Sequence, residues 1–400
     1  MYNIAVLILT YLIHICSILH THKDQYFGIH VPGEFTSKLA SSQPRNTYYN
    51  VSEVNEIIKY GHKMGITVLI EIDIPGHALS WEKAYKNIVN VHCKNAVSAP
   101  RIFPNCNANL DPTIENTYFV LEKLLKNLKQ YIPSTNTLLH LGGDEVSFNT
   151  WKLTPSLFSW AESEGKIQFQ KYNVATSNPD GSFLDLPHRL LELFERRLDV
   201  LIKSIFSKES VIMRWEEIFK PHLFDCCYFP RKNIVVQLWR KPKNKKPRRT
   251  KHDILKSGVR GIVINSEDYW YLDPNKKDQF WRTWTQRYLY EPLLNEPVDG
   301  KKYILPKKFH RRVFGGEVSC WGHCMESKNN FNAYVWLPLS AISERLWSPR
   351  NVRDVIDAEK RLRKFMLILQ RRFDYKFYDN DEVFLSDTFK FHSRLHDLHR

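Results

Sequence analysis

Past residue 50 the chain alternates amphipathic helical patterns with short apolar, largely β-branched runs, and the runs end in acidic or aromatic residues. The runs lie at 66–73, 137–141, 211–215, 234–239, 261–265 and 313–318, and helices are predicted at 52–64, 114–130, 188–206 and 332–346. Near-continuous apolar character marks strands covered on both faces, and alternation with helices marks parallel βα units. The ends carry Glu71 and Asp73, Asp144 and Glu145, Trp215 and Glu216, Trp239, Glu267 and Asp268, and Glu317 and Trp321. In a (β/α)8 barrel the active site is assembled from such C-terminal strand ends. The expected fold is therefore α/β, of the TIM-barrel type.

The most distinctive of these ends reads His140-Leu-Gly-Gly-Asp-Glu-Val146. Adjacent side chains in a regular strand point to opposite faces, so Asp144 and Glu145 can serve one pocket only past the strand end. Gly142 and Gly143 supply that break. Two carboxylates held together repel, which is expected to raise the pKa of one toward the range of a general acid. On spacing alone the pair is as readily a solvated strand end.

Four hundred residues with 43% hydrophobic content can bury a large core. The net charge of +15 raises the question of a polyanionic partner. Much of the excess, however, is concentrated in residues 240–252, a run with prolines that reads as a solvated loop, and no nucleic acid is expected. Residues 4–19 are apolar but interrupted by His14, so the run is either a signal-type segment or a buried strand. None of the seven cysteines forms a Cys-x-x-Cys pair, and no metal site is expected. Cys93 and Cys106 flank a polar loop that a disulfide could close in the secretory pathway, and Asn50-Val-Ser is a glycosylation sequon consistent with that route. The stretches 162–187 and 290–312 read as polar insertions on loops.

The ordered strings resemble the catalytic domain of glycoside hydrolase family 20, the β-N-acetylhexosaminidases. They are Glu71-Ile-Asp-Ile-Pro-Gly-His-Ala-Leu-Ser-Trp81, the 140–146 string, Arg214-Trp-Glu-Glu-Ile218, Val236-Gln-Leu-Trp239, Tyr269-Trp-Tyr-Leu-Asp273, Gly315-Gly-Glu-Val-Ser-Cys-Trp-Gly322 and Ser343-Glu-Arg-Leu-Trp347. The resemblance implies retaining hydrolysis assisted by the substrate's own 2-acetamido group, an exception to the usual two-carboxylate scheme. It implies Glu145 as acid/base and Asp144 as the carboxylate that orients the acetamido group. Trp215, Trp239 and Trp321 would wall the sugar pocket, Tyr271 and Asp273 would bind the acetamido oxygen and hydroxyls, and His77 would stand beside the acid pair. His140 and the 343–347 string read as structural. Implied too are terminal N-acetylglucosamine or N-acetylgalactosamine as substrate, no cofactor, a homodimer, and a secreted or lysosome-like location.

The sequence departs from the family's pattern at several points. No Asp-x-x-Arg string marks the family's first barrel strand, so the barrel is expected to lack that strand. Leu19-His-Thr-His22 runs directly into Lys23-Asp24, where Asp24 is the candidate for an acidic sugar contact. His323 stands where many relatives place a sugar-binding glutamate. The expected organisation is an apolar N-terminal segment at 1–23, the barrel at 24–350 and a helical segment at 351–400 that packs on it. The alternative to an active hydrolase is a catalytically impaired glycan-binding homologue.

Overall fold

A computed structural model describes residues 13–14, 28–29, 48–49, 51–94, 105–131, 138–177, 181–182, 184–219, 231–240, 250–265, 271–272, 284–295, 302–320 and 328–373. The chain divides into two compact units, one of residues 10–237 and 253–261 and the other of residues 1–9, 238–252 and 262–400.

In the first unit, parallel pairing joins β1 (Ile13–His14), β2 (Ile70–Glu71), β5 (Leu138–His140), β6 (Val211–Trp215) and β7 (Ile234–Leu238) in that order. Ile13 and His14 belong to the apolar N-terminal run, which therefore contributes a strand, paired to Ile70 and Glu71. Every residue of β7 is buried, as expected of a strand covered on both faces. Backbone pairing continues past β5, with Ile72 N–H donating to His140 O at 2.9 Å and Trp215 N–H to Gly142 O at 3.0 Å. That continuation holds the strand ends in register where the acidic residues begin.

Helices form close to where the patterns predict. The helix α1 (Val51–Lys63) stops at Gly65, which has a φ of 75°. Leu121, Leu124, Leu125 and Leu128 form the buried stripe of α2 (Glu115–Leu128), which packs on α3 (Leu186–Ile205) with Tyr118 against Phe194. The helix α3 begins before the expected residue 188 because Pro187 occupies its first turn and Asp185 caps it by accepting from His188 N–H.

Two stretches expected to be loops are partly ordered. Within 162–187 lies a helix, Glu164–Lys171, whose buried Phe169 meets Trp160 edge-on at 5.6 Å. Its few apolar residues left little periodic pattern to read. Within 290–312 an antiparallel pair joins Leu294–Asn295 to Tyr303–Ile304, and a helical turn follows at Lys307–His310. Cys93 and Cys106 are register partners in the antiparallel hairpin β3 (Val89–Lys94) and β4 (Asn105–Leu110).

The second unit contains the parallel pair β8 (Gly261–Ile264) and β9 (Val313–Gly316). Its apolar core is built by α4 (Trp284–Leu289), α5 (Lys328–Trp347) and α6 (Val355–Phe373), through Trp284, Tyr288, Ala341, Leu362 and Met366. Among the described residues no helix is long and apolar enough to cross a membrane.

Candidate active site

Two loops at strand ends build the site in the first unit, residues 73–78 after β2 and residues 141–147 after β5. Gly142 and Gly143 turn the chain with φ values of 57° and 100°, as the glycine pair predicts. No other residue fits at Gly142, because a Cβ there would fall 1.9 Å from Asp73 Oδ1. The same Oδ1 accepts a hydrogen bond from Gly143 N–H at 2.9 Å, so Asp73 fastens one loop to the other. Asn109 of the hairpin completes the join by donating to Ser147 O at 2.8 Å and accepting from Ser147 N–H at 3.3 Å.

Glu145 (φ 50°) and His77 (φ 51°) are non-glycine residues in the left-handed region, a strained arrangement that concentrates at functional sites. The two neighbouring acids differ in exposure. The Asp144 side chain is 14% exposed and points inward, whereas that of Glu145 is 36% exposed.

His77 is the hub of the cluster. Its Nε2 lies 3.4 Å from Asp144 Oδ2, 3.7 Å from Glu145 Oε2 and 3.8 Å from Asp73 Oδ2. Burial works to lower the pKa of the imidazole, but the charges of Asp73 and Asp144 prevail and push it up to about 10. Burial would likewise raise Asp144, yet the charge of His77 and its hydrogen bond hold that carboxyl below the ordinary range. Asp73 goes the other way. Burial holds it well above the usual carboxylate range, Asp144's charge adds to the shift and His77 opposes it.

A tension between carboxylates is present between Asp73 and Asp144, with His77 between them. Asp73, which sequence reasoning noted only as a strand-end acid, is the missed member of the site. Its spacing of four residues from His77 was the available indication. Among the described residues, Asp73, His77 and Asp144 are also the group whose donor atoms converge enough for a metal ion, all within 4.8 Å. A protonated His77 already places positive charge between the two carboxylates.

Trp215 is buried, with Nε1 donating to Glu71 Oε1 at 2.9 Å and its ring edge-on to His140 at 5.6 Å. His140, read as structural, is packed between Glu71, 3.3 Å away, and Gln237, 2.5 Å away. Trp239 lies in the second unit, half-buried beneath the Arg240 guanidinium, which is centred 4.2 Å from its ring. Tyr271 begins a two-residue strand, Tyr271–Leu272, paired with Ser319–Cys320. Asp24, Asp273 and Trp321 lie outside the described residues. The structure therefore brings together His77, Asp144 and Glu145 of the expected set, with Asp73 added.

A family model described as glycosyl hydrolase family 20, catalytic domain, matches residues 18–350. Over 314 residues the chain is 29% identical to the β-hexosaminidase subunit beta of Mus musculus, covering 78% of this chain and 49% of that protein. Over 364 residues it is 28% identical to β-hexosaminidase 3 of Arabidopsis thaliana, covering 89% and 56%. The chain thus spans about half the length of the curated relatives it matches. Among solved structures it is similar to the chitobiase of Flavobacterium johnsoniae, with a TM-score of 0.63 and 26% identity over 88% of this chain and 46% of that one. The fold, at a TM-score of 0.59 and 18% identity, is also that of an exo-β-N-acetylglucosaminidase from Vibrio harveyi, covering 82% and 46%.

Proposed function

This chain belongs to glycosyl hydrolase family 20, and from that premise we propose that it is an exo-acting β-N-acetylhexosaminidase releasing terminal N-acetylglucosamine or N-acetylgalactosamine from glycoconjugates. The observation that carries the proposal is that the two neighbouring acids both approach His77 but differ in exposure, Asp144 at 14% and Glu145 at 36%.

Asp144, held ionised by His77, is the group to accept the acetamido N–H and to stabilise the positive charge that grows as the acetamido oxygen closes on the anomeric carbon. Glu145, facing solvent, is placed to protonate the departing glycosidic oxygen and afterwards to deprotonate water. The substrate brings its own nucleophile, so no enzyme carboxylate has to bond the sugar. Trp215, Trp239 and Trp321 are assigned to the pocket wall, where indole faces suit the C–H surface of a pyranose. Tyr271, Asp273 and Asp24 are assigned to polar contacts with the sugar. The likeness to hexosaminidase subunits supports terminal N-acetylhexosamines as partners, and the secretory pathway and a homodimer are part of the same proposal.

Turnover of a chromogenic N-acetyl-β-glucosaminide, with NMR of the first-formed sugar, tests the reading. Release of the β-anomer, with no turnover of the matching glucoside that lacks the acetamido group, supports it. Release of the α-anomer, or no turnover by a folded chain, overturns it. A second reading, sugar binding without hydrolysis, is favoured by His323 in the place of a sugar-binding glutamate. Saturable N-acetylglucosamine binding without turnover would establish it.

A further inference from the structure

We propose that Arg214 is a positioning residue that, through a buried ion pair with Glu195, sets the turn carrying Asp144 and Glu145. The inference rests on the proposed roles of those two acids. Arg214 lies on β6 and is 1% exposed, in a strand that is otherwise apolar up to Trp215. Its Nη1 donates to Leu141 O at 2.6 Å, and its Nη2 meets the Glu195 carboxylate of α3. The guanidinium also lies against Gly143, where a Cβ would fall 2.9 Å from Nη2 and 3.1 Å from Cζ.

Each residue of the turn is therefore gripped in sequence. Arg214 takes the Leu141 carbonyl, Trp215 N–H the Gly142 carbonyl, and Asp73 the Gly143 N–H. The first of these grips uses a buried guanidinium. Apolar residues of similar volume often stabilise as well as a buried ion pair does, so stability alone gives weak reason for one here. A planar fork of donors that reaches a carboxylate and a carbonyl together supplies geometry that apolar packing does not. Misplacing reacting groups by about 1 Å costs about 100-fold in rate, so a turn that must hold both Asp144 and Glu145 beside His77 benefits from that grip.

Removing Arg214 alone would strand Glu195, a carboxyl already raised by burial against the opposing charge of Arg214. The test is therefore the neutral double variant Arg214→Met/Glu195→Gln, together with Arg214→Lys. The measurements are urea unfolding, kcat and KM on the chromogenic glucosaminide, and amide hydrogen exchange. The double variant is expected to unfold near the wild-type midpoint and to lose about 10- to 100-fold in kcat with KM changed less than about 2-fold. Arg214→Lys is expected to fall between.

Exchange of the Gly143 amide is expected to quicken by about 10-fold or more while amides of α3 keep their protection. That readout needs no turnover. A wild-type chain without activity would overturn the proposed function alone, whereas unchanged Gly143 exchange and unchanged kcat in a folded double variant would overturn the role of Arg214.

Discussion

His77 Nε2 stands 3.4 Å from Asp144 Oδ2, with both side chains largely withdrawn from water. The contact explains how adjacent acids come to differ. Asp144 packs closer to the cationic partner and stays ionised, while Glu145, one residue on in a left-handed backbone, reaches the same imidazole at 3.7 Å but is 36% exposed.

The pH dependence of stability follows from this ion pair. The histidine has an ordinary pKa of 6.5 and one of about 10 in the folded chain. A pKa raised by folding stabilises fully below the unfolded value, and that contribution is lost as pH rises through the folded one. The chain is expected to lose stability between pH 6.5 and about 10 by an amount that His77→Gln does not show. Urea unfolding of both proteins across that range checks it, and parallel curves would count against a charged His77.

Gly142 and Gly65 offer a matched comparison. Both have positive φ, but a Cβ at Gly65 meets nothing within 4 Å, whereas at Gly142 it collides with Asp73. Gly65→Ala is expected to cost about 1–2 kcal/mol through the backbone alone. Gly142→Ala is expected to cost about 1–3 kcal/mol more through overpacking, and to reduce turnover as well. Denaturation midpoints and kcat for the two variants decide whether the collision is real.

Trp215 joins the proposed sugar wall to the buried Glu71. Trp215→Phe keeps an apolar face but removes the donor to Glu71 Oε1, so stability is expected to fall by about 1–3 kcal/mol. KM is expected to change little. Trp215→Ala is expected to raise KM strongly, and equal KM values for the two variants would remove Trp215 from the pocket.

Much of this arrangement was legible in the sequence because local patterns encode it. The run 211–215 was placed residue for residue, and the Gly142–Gly143 break adopts the conformation expected of it. Helix ends shifted where capping outweighed periodicity, as at Asp185 and Pro187. What could not be read were partnerships between distant positions. The bond from Gly143 to Asp73 spans 70 residues and the contact from Arg214 to Leu141 spans 73, and neither leaves a local trace. For the same reason the contrast between Asp73 and Asp144 left no trace in the sequence.

The central claim is that Glu145 moves the proton while Asp144 holds the acetamido group. Steady-state kinetics of wild type, Glu145→Gln and Asp144→Asn on a chromogenic N-acetyl-β-glucosaminide, with urea midpoints for each, tests it most directly. The account predicts wild-type turnover and a loss of about 10²- to 10⁴-fold in Glu145→Gln with its fold intact, and for Asp144→Asn a fall in kcat on the same substrate with its fold intact. Wild-type rates in a folded Glu145→Gln would contradict it.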